Sequence, residues 1–272
     1  MLADQPDEIL AVHRAYVEAG ATVLVSASYQ VSRTGFIASG RTASDADEML
    51  ARSVRLAREA VQEHDALVAA SVGPYGAVLH DGSEYRGRYG VSREFLVDFH
   101  AERLSVLAEA EPDLFACETI PDADEADVLA ECLAEYPSIP AWVCFSCADD
   151  RRTCAGQPIE EAVSSIGGAE SVVAVGVNCT APAHVTSLLE RMGRTTDLPL
   201  VVYPNSGRSW DPVTGWSGSG SWRPGGSSVP PLSGLADDDV HEWSARAALI
   251  GGCCGVGPDD VARLTALLPP VR

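Results

Sequence analysis

The sequence predicts an α/β fold, a (β/α)8 TIM barrel from which the first β-strand is missing. Seven short apolar runs alternate with eight helical patterns along 272 residues, the signature of βα units around a parallel sheet. No Gly-x-Gly-x-x-Gly turn follows any of those runs, which argues against an open doubly wound sheet. The chain opens directly on a helical pattern, so an eight-stranded barrel is one strand short at its start. The length suits one domain over residues 1–272, because barrels of this kind run to about 250 residues.

In chain order, the expected strands are 22–28, 66–72, 114–119, 141–147, 172–179, 200–203 and 247–254. Each is a short Val-, Ala-, Leu- or Ile-rich run of the sort buried on both faces of a parallel sheet. Helical patterns lie near 6–19, 45–63, 92–110, 122–135, 158–167, 182–192, 235–244 and 258–268. Ser44 before an acidic turn, Ser92 with a following Glu94, and Pro258-Asp259-Asp260 are the expected helix starts. The rhythm breaks at 205–234, a stretch rich in Gly, Ser and Pro that includes Trp210, Trp216 and Trp222. It follows a strand, so it reads as a long loop on the active face, either a lid or a surface insertion.

Composition removes several functions. A formal charge of −20 argues against binding nucleic acid or anionic membrane, both of which need basic patches. No run approaches the roughly 18–20 apolar residues of a membrane span. The N-terminus is acidic and unlike a signal peptide, so a cytoplasmic protein with reduced cysteines is expected. All 19 basic residues are arginine. Schiff-base aldol chemistry, pyridoxal phosphate and a P-loop all need a lysine and are excluded.

Three of the eight cysteines sit at the ends of apolar runs: Cys179 in Gly176-Val177-Asn178-Cys179, and Cys253 and Cys254 in Ile250-Gly251-Gly252-Cys253-Cys254-Gly255. Strand ends are where barrels carry their chemistry. Three thiolates with one open position suit a catalytic Zn2+, since a closed structural site uses four protein ligands. The substrate would then bind the metal through its own sulfur. Adjacent cysteines also suit compact core packing. Glycines 251, 252 and 255 let the backbone bend so that neighbouring side chains converge.

Further runs occur in a set order: Ser26-Ala27-Ser28-Tyr29-Gln30, Ser71-Val72-Gly73-Pro74-Tyr75-Gly76, Asp81-Gly82-Ser83-Glu84-Tyr85-Arg86-Gly87, Ala116-Cys117-Glu118-Thr119 and Val202-Tyr203-Pro204-Asn205-Ser206-Gly207. With the two cysteine runs, they give a chain that closely resembles the homocysteine S-methyltransferases, particularly the S-methylmethionine type, from about residue 5 onward. The resemblance implies a zinc-dependent barrel that moves a methyl group from a sulfonium donor to homocysteine, giving methionine. It places Cys179, Cys253 and Cys254 on the metal and Glu118 on the amino group of homocysteine. Members of that family usually begin with an earlier strand bearing an Asp-Gly-Gly/Ala run, which is not seen here. A start placed too far downstream and a shortened, catalytically impaired zinc-binding paralogue are the two explanations. S-adenosylmethionine or betaine as donor, and selenocysteine as acceptor, are the alternative chemistries.

Substrate contacts are expected from Tyr29, Asn178, Tyr203 and Asn205, with a tryptophan of the long loop available for a cation–π contact; for the aromatics, barrel packing is the competing role. Cys144 and Cys147 form a Cys-x-x-Cys, but on a strand positions i and i+3 face opposite ways. Cys144 is therefore expected in the core, and Cys117, Cys132, Cys147 and Cys154 as structural or incidental. The six histidines fit no ligand pattern, and His80 and His100 are expected at the surface or in packing.

Overall fold

The computed structural model describes residues 2–207, 210–211, 215–216 and 235–269. The chain begins with α1 (Pro6–Glu18), β1 (Val23–Val25), α2 (Arg33–Ala38), α3 (Ala43–Ala60), β2 (Leu67–Val72) and α4 (Tyr75–Val78). A 3-10 turn over Ser83–Tyr85 leads into α5 (Arg93–Glu109), β3 (Leu114–Ile120), α6 (Ala123–Leu133), β4 (Ala141–Phe145) and α7 (Ile159–Ser165). Then follow β5 (Val172–Asn178), α8 (Pro182–Met192), β6 (Leu200–Tyr203), β7 (Trp210–Asp211), β8 (Gly215–Trp216), α9 (Asp237–Ser244), β9 (Ala247–Ile250) and α10 (Pro258–Leu267).

The seven long-expected strands form one sheet in the order β1-β2-β3-β4-β5-β6-β9, with every neighbouring pair parallel. One face gathers Val23 and Val25 of β1, Ala69, Ala116, Trp142, Cys144, Ala174, Val201, Tyr203 and Leu249 of β9 into a single apolar cluster. Residues from all seven strands can share one cluster only if the sheet curls around it. The opposite face packs on helices through a larger core that includes Leu50, Leu104, Leu129, Val177 and Leu188. Cys144, on β4, belongs to the inner cluster, whereas Cys147, past the end of β4 and bridged to Thr153, belongs to the outer one.

A closed eight-stranded barrel is not formed by the described residues. The fold is a curled, seven-stranded half-barrel with β1 and β9 as edges. Both edges line one cavity of about 720 Å³, walled by Tyr16 of α1 and Leu264 of α10. The Tyr16 hydroxyl donates to the carbonyl of Val256, just before α10, at 2.8 Å.

Several boundaries differ from the sequence expectation for local reasons. Ser92 caps α5, accepting from the Phe95 N–H at 3.2 Å, and Pro258 opens α10. Ser44 is not a cap. Thr42 holds that position in a reciprocal capping box, its hydroxyl accepting from Asp45 N at 3.1 Å while Asp45 accepts from Thr42 N at 2.8 Å. The last strand stops at Ile250, short of residue 254, because the glycines that follow turn the chain. The short helices α2 and α4 were not expected; they are too brief to show an apolar period. In the 205–234 stretch, Trp210 pairs with Trp216 in a two-residue antiparallel ladder. Trp222 and most of that stretch lie outside the described residues. No described helix is long and apolar enough to cross a membrane.

Candidate metal and substrate site

At the carboxyl ends of β5 and β9 three thiols converge. The Sγ of Cys179 lies 3.1 Å from that of Cys253 and 3.4 Å from that of Cys254, and the latter two are 3.9 Å apart. Cys179 leaves β5 with φ +47°, in the left-handed region that side-chain-bearing residues seldom occupy, which swings its sulfur off the strand's alternation. Cys253 and Cys254 sit on a turn rather than a strand. That turn is stitched to the end of β6 by Gly251 N to Val202 O (2.8 Å), Cys253 N to Pro204 O (2.8 Å) and Ser206 N to Cys254 O (2.9 Å). Gly255, at φ +80°, admits no side chain, since a Cβ there would lie 2.4 Å from Ser206 Oγ. These bonds explain how two adjacent residues can aim at one point.

The cluster is electrostatically poised. Hydrogen bonds from Cys179 and Cys253 pull the Cys254 thiol down to about 4, while hydrogen bonding to its two neighbours and burial push Cys253 up. All eight cysteines are free thiols.

Glu118, on β3, is 9% exposed and points into the same end of the sheet. It accepts from Ser71 Oγ at 2.5 Å and bonds the Tyr203 hydroxyl, which itself accepts from Trp142 Nε1 at 3.1 Å. Burial raises its carboxyl to about 7. The next residue, Thr119, has φ +61°, a strained setting for a β-branched side chain and one found mostly at functional sites. Asn178 secures it: its Oδ1 accepts from Thr119 N at 2.6 Å and its Nδ2 donates to Thr119 Oγ1 at 2.8 Å. The amide of Asn178 is therefore spent mainly on β3, with only a long contact of 3.9 Å to Cys253 Sγ.

The remaining expected contacts divide. Tyr29 bonds Thr119 and lies within electrostatic reach of Cys179 and Glu118; its ring rests on Gly73, where a Cβ would come within 2.6 Å. The fully buried Arg103 ties the two loops together, donating to Gly73 O at 2.7 Å and Tyr29 O at 3.0 Å. Tyr203 touches Glu118, as above. Asn205 braces the backbone instead, donating to Cys179 O at 3.3 Å and accepting from Gly207 N at 2.8 Å. His80 is exposed and His100 is buried against Glu125 at 3.0 Å.

Tyr85, for which the sequence suggests no role, has its hydroxyl 3.3 Å from Cys179 Sγ. The available signal was the Asp81–Gly87 run, whose glycines at φ +80° and +65° fold a tight turn over the site. A run without apolar period gives no hint of where its aromatic residue lands.

Fold and site together define an α/β enzyme that gathers thiols and a buried carboxylate at the strand ends of a curled parallel sheet. Residues 1–268 match the family model described as homocysteine S-methyltransferase. The homocysteine S-methyltransferase of Escherichia coli (strain K12) is 41% identical over 275 residues, covering 98% of this chain and 86% of that protein. Homocysteine S-methyltransferase 1 of Zea mays is 40% identical over 285 residues, covering 98% and 85%. The crystal structure of the Escherichia coli homocysteine methyltransferase MmuM in its metallated form superposes with a TM-score of 0.83 at 39% identity, covering 97% of this chain and 86% of that one. The chain belongs to the homocysteine S-methyltransferase family, and it is a methyltransferase.

Proposed function

We propose that this protein transfers a methyl group from a sulfonium donor, S-methylmethionine, to the thiol of homocysteine, with zinc held by Cys179, Cys253 and Cys254. The observation that carries the proposal is the three-sulfur cluster beside a buried carboxylate. Tetrahedral zinc with Zn–S bonds of about 2.3 Å separates its sulfurs by roughly 3.8 Å. The observed separations of 3.1–3.9 Å need only small adjustments to reach that value. An all-sulfur donor set also selects a soft, thiophilic metal over magnesium or calcium.

A zinc ion there would keep a bound thiol ionised near neutral pH, where a free thiol is mostly protonated. The protein's own groups do the rest. Glu118 receives the ammonium of homocysteine, and Ser71 and Tyr203 fix the direction of its carboxylate. Tyr29 and Tyr85 wall the space next to Cys179. The homocysteine sulfur forms a bond to the methyl carbon in line as the donor's S–CH3 bond breaks. The bonding electrons stay on the departing sulfur, so S-methylmethionine leaves as a second methionine. No side chain need move a proton in that step. A pocket of thiolates and carboxylates favours a cationic donor. S-methylmethionine is preferred to S-adenosylmethionine because the sequence runs resemble the S-methylmethionine type. Eight free thiols suit a reducing, cytoplasmic setting.

The open edges of β1 and β9 around a cavity of about 720 Å³ favour a second reading, a zinc-binding paralogue with impaired catalysis. A donor panel decides between them. Initial rates of methionine formation with S-methylmethionine, S-adenosylmethionine and betaine should fall in that order. No methionine from any of them, with zinc bound, supports the impaired paralogue.

A further inference from the structure

Glu118 has a second carboxylate for a neighbour on the turn that covers the thiols. Glu84 sits in the 3-10 turn over the thiols, one residue before Tyr85. Its Oε2 is inaccessible to solvent and has no hydrogen-bond partner. The turn fixes its backbone. Ser146 Oγ donates to the Glu84 carbonyl at 3.2 Å, and Gly76 packs so closely that a Cβ there would lie 2.6 Å from Glu84 N. The arginine nearest in sequence, Arg86, turns away to Ser83 Oγ at 2.6 Å and to Asp81 at 3.8 Å. The charge of Glu84 acts on both Cys179 and Tyr29, and Tyr85 places its hydroxyl against the same sulfur.

A buried carboxylate oxygen without a partner is costly, and the reacting end of a site is a place where such a cost is met by a ligand. Here its charge reaches Tyr29 and the Cys179 sulfur, the next residue, Tyr85, sets its hydroxyl 3.3 Å from that sulfur, and tyrosine faces attract cations. We propose that Glu84 is the countercharge for the sulfonium of the methyl donor, which would lie between Glu84, Tyr29 and Tyr85 with its methyl group toward the thiol cluster. Glu118 then reads the acceptor and Glu84 the donor, so two cationic substrates are sorted by two carboxylates on different elements. This inference rests on the sulfonium-to-thiol reading given above.

The test is calorimetric titration of the zinc-loaded protein and its Glu84→Gln variant with S-methylmethionine and, separately, with methionine, which lacks the sulfonium charge. Loss of a charge-assisted contact predicts S-methylmethionine binding weaker by about 10- to 100-fold. Methionine affinity, the KM for homocysteine and the zinc content should stay within about twofold, and Glu84→Asp should recover part of the loss. Unchanged S-methylmethionine affinity overturns the proposal, as does an equal fall for both ligands, which would mark a general effect on the pocket. If the wild-type chain makes no methionine yet loses S-methylmethionine affinity on Glu84→Gln, the functional reading fails while the donor site stands.

Discussion

Glu118→Gln should move stability and function in opposite directions. Burial raises the Glu118 carboxyl from its ordinary 4.5 to about 7, and each pK unit is worth about 1.4 kcal/mol. The folded, substrate-free protein therefore carries about 3 kcal/mol of charge penalty above pH 7, as an upper value. The sign follows from linkage. The unfolded chain releases this proton near 4.5 and the folded one near 7, so stability falls as pH rises across that window. Glutamine has no charge to bury and can still accept from Ser71, so the variant should unfold at higher urea than wild type at pH 8. That advantage should vanish below about pH 4.5. The same change removes a charge-assisted contact to the ammonium of homocysteine, worth about 1.5–3 kcal/mol, or roughly 10- to 150-fold in KM. Urea titrations at pH 5 and pH 8, with initial rates against homocysteine, provide the assay. A variant less stable than wild type at pH 8, or homocysteine kinetics left untouched, would refute the reasoning. The trade is of the familiar kind in which an active site holds a group that the fold alone would discard.

Three other outcomes are expected. Cys254→Ala should abolish retention of zinc through gel filtration, and an unchanged zinc-to-protein ratio would remove Cys254 from the ligand set. Zinc should be released progressively on acidification, because thiolate ligands must stay deprotonated, whereas pH-independent retention would contradict a thiolate site. Gly176→Ala should cost about 3 kcal/mol or more, since its Cβ would lie 1.8 Å from Val201 O on the paired strand β6; wild-type stability in urea would show that β5 and β6 do not approach so closely.

Much of the architecture was legible in the sequence because buried parallel strands are nearly continuous apolar runs. All seven found their partners in chain order, and no eighth strand joins that sheet among the described residues. The thiol cluster was legible for a similar reason: cysteines bounded by glycines at strand ends leave few geometries. What escaped was set by backbone conformation and by contacts distant in sequence. The turn at Gly251 that ends β9 early depends on bonds to Val202 and Pro204. The φ of Thr119 depends on Asn178, 59 residues away. Asn178 and Asn205 belong to the right end of the sheet, yet whether an amide faces substrate or braces backbone has no signature in sequence. Tyr85 reaches Cys179 across 94 residues, through a loop whose path no periodicity reports.

The most direct test of the central claim is methionine formation from homocysteine and S-methylmethionine by this 272-residue chain, loaded with zinc and compared with the same preparation stripped of metal. The account predicts two methionines per donor consumed by the loaded protein and none above background from the stripped one. Equal rates with and without metal would contradict the role given to the three cysteines, and no methionine from the loaded chain would contradict the proposed reaction.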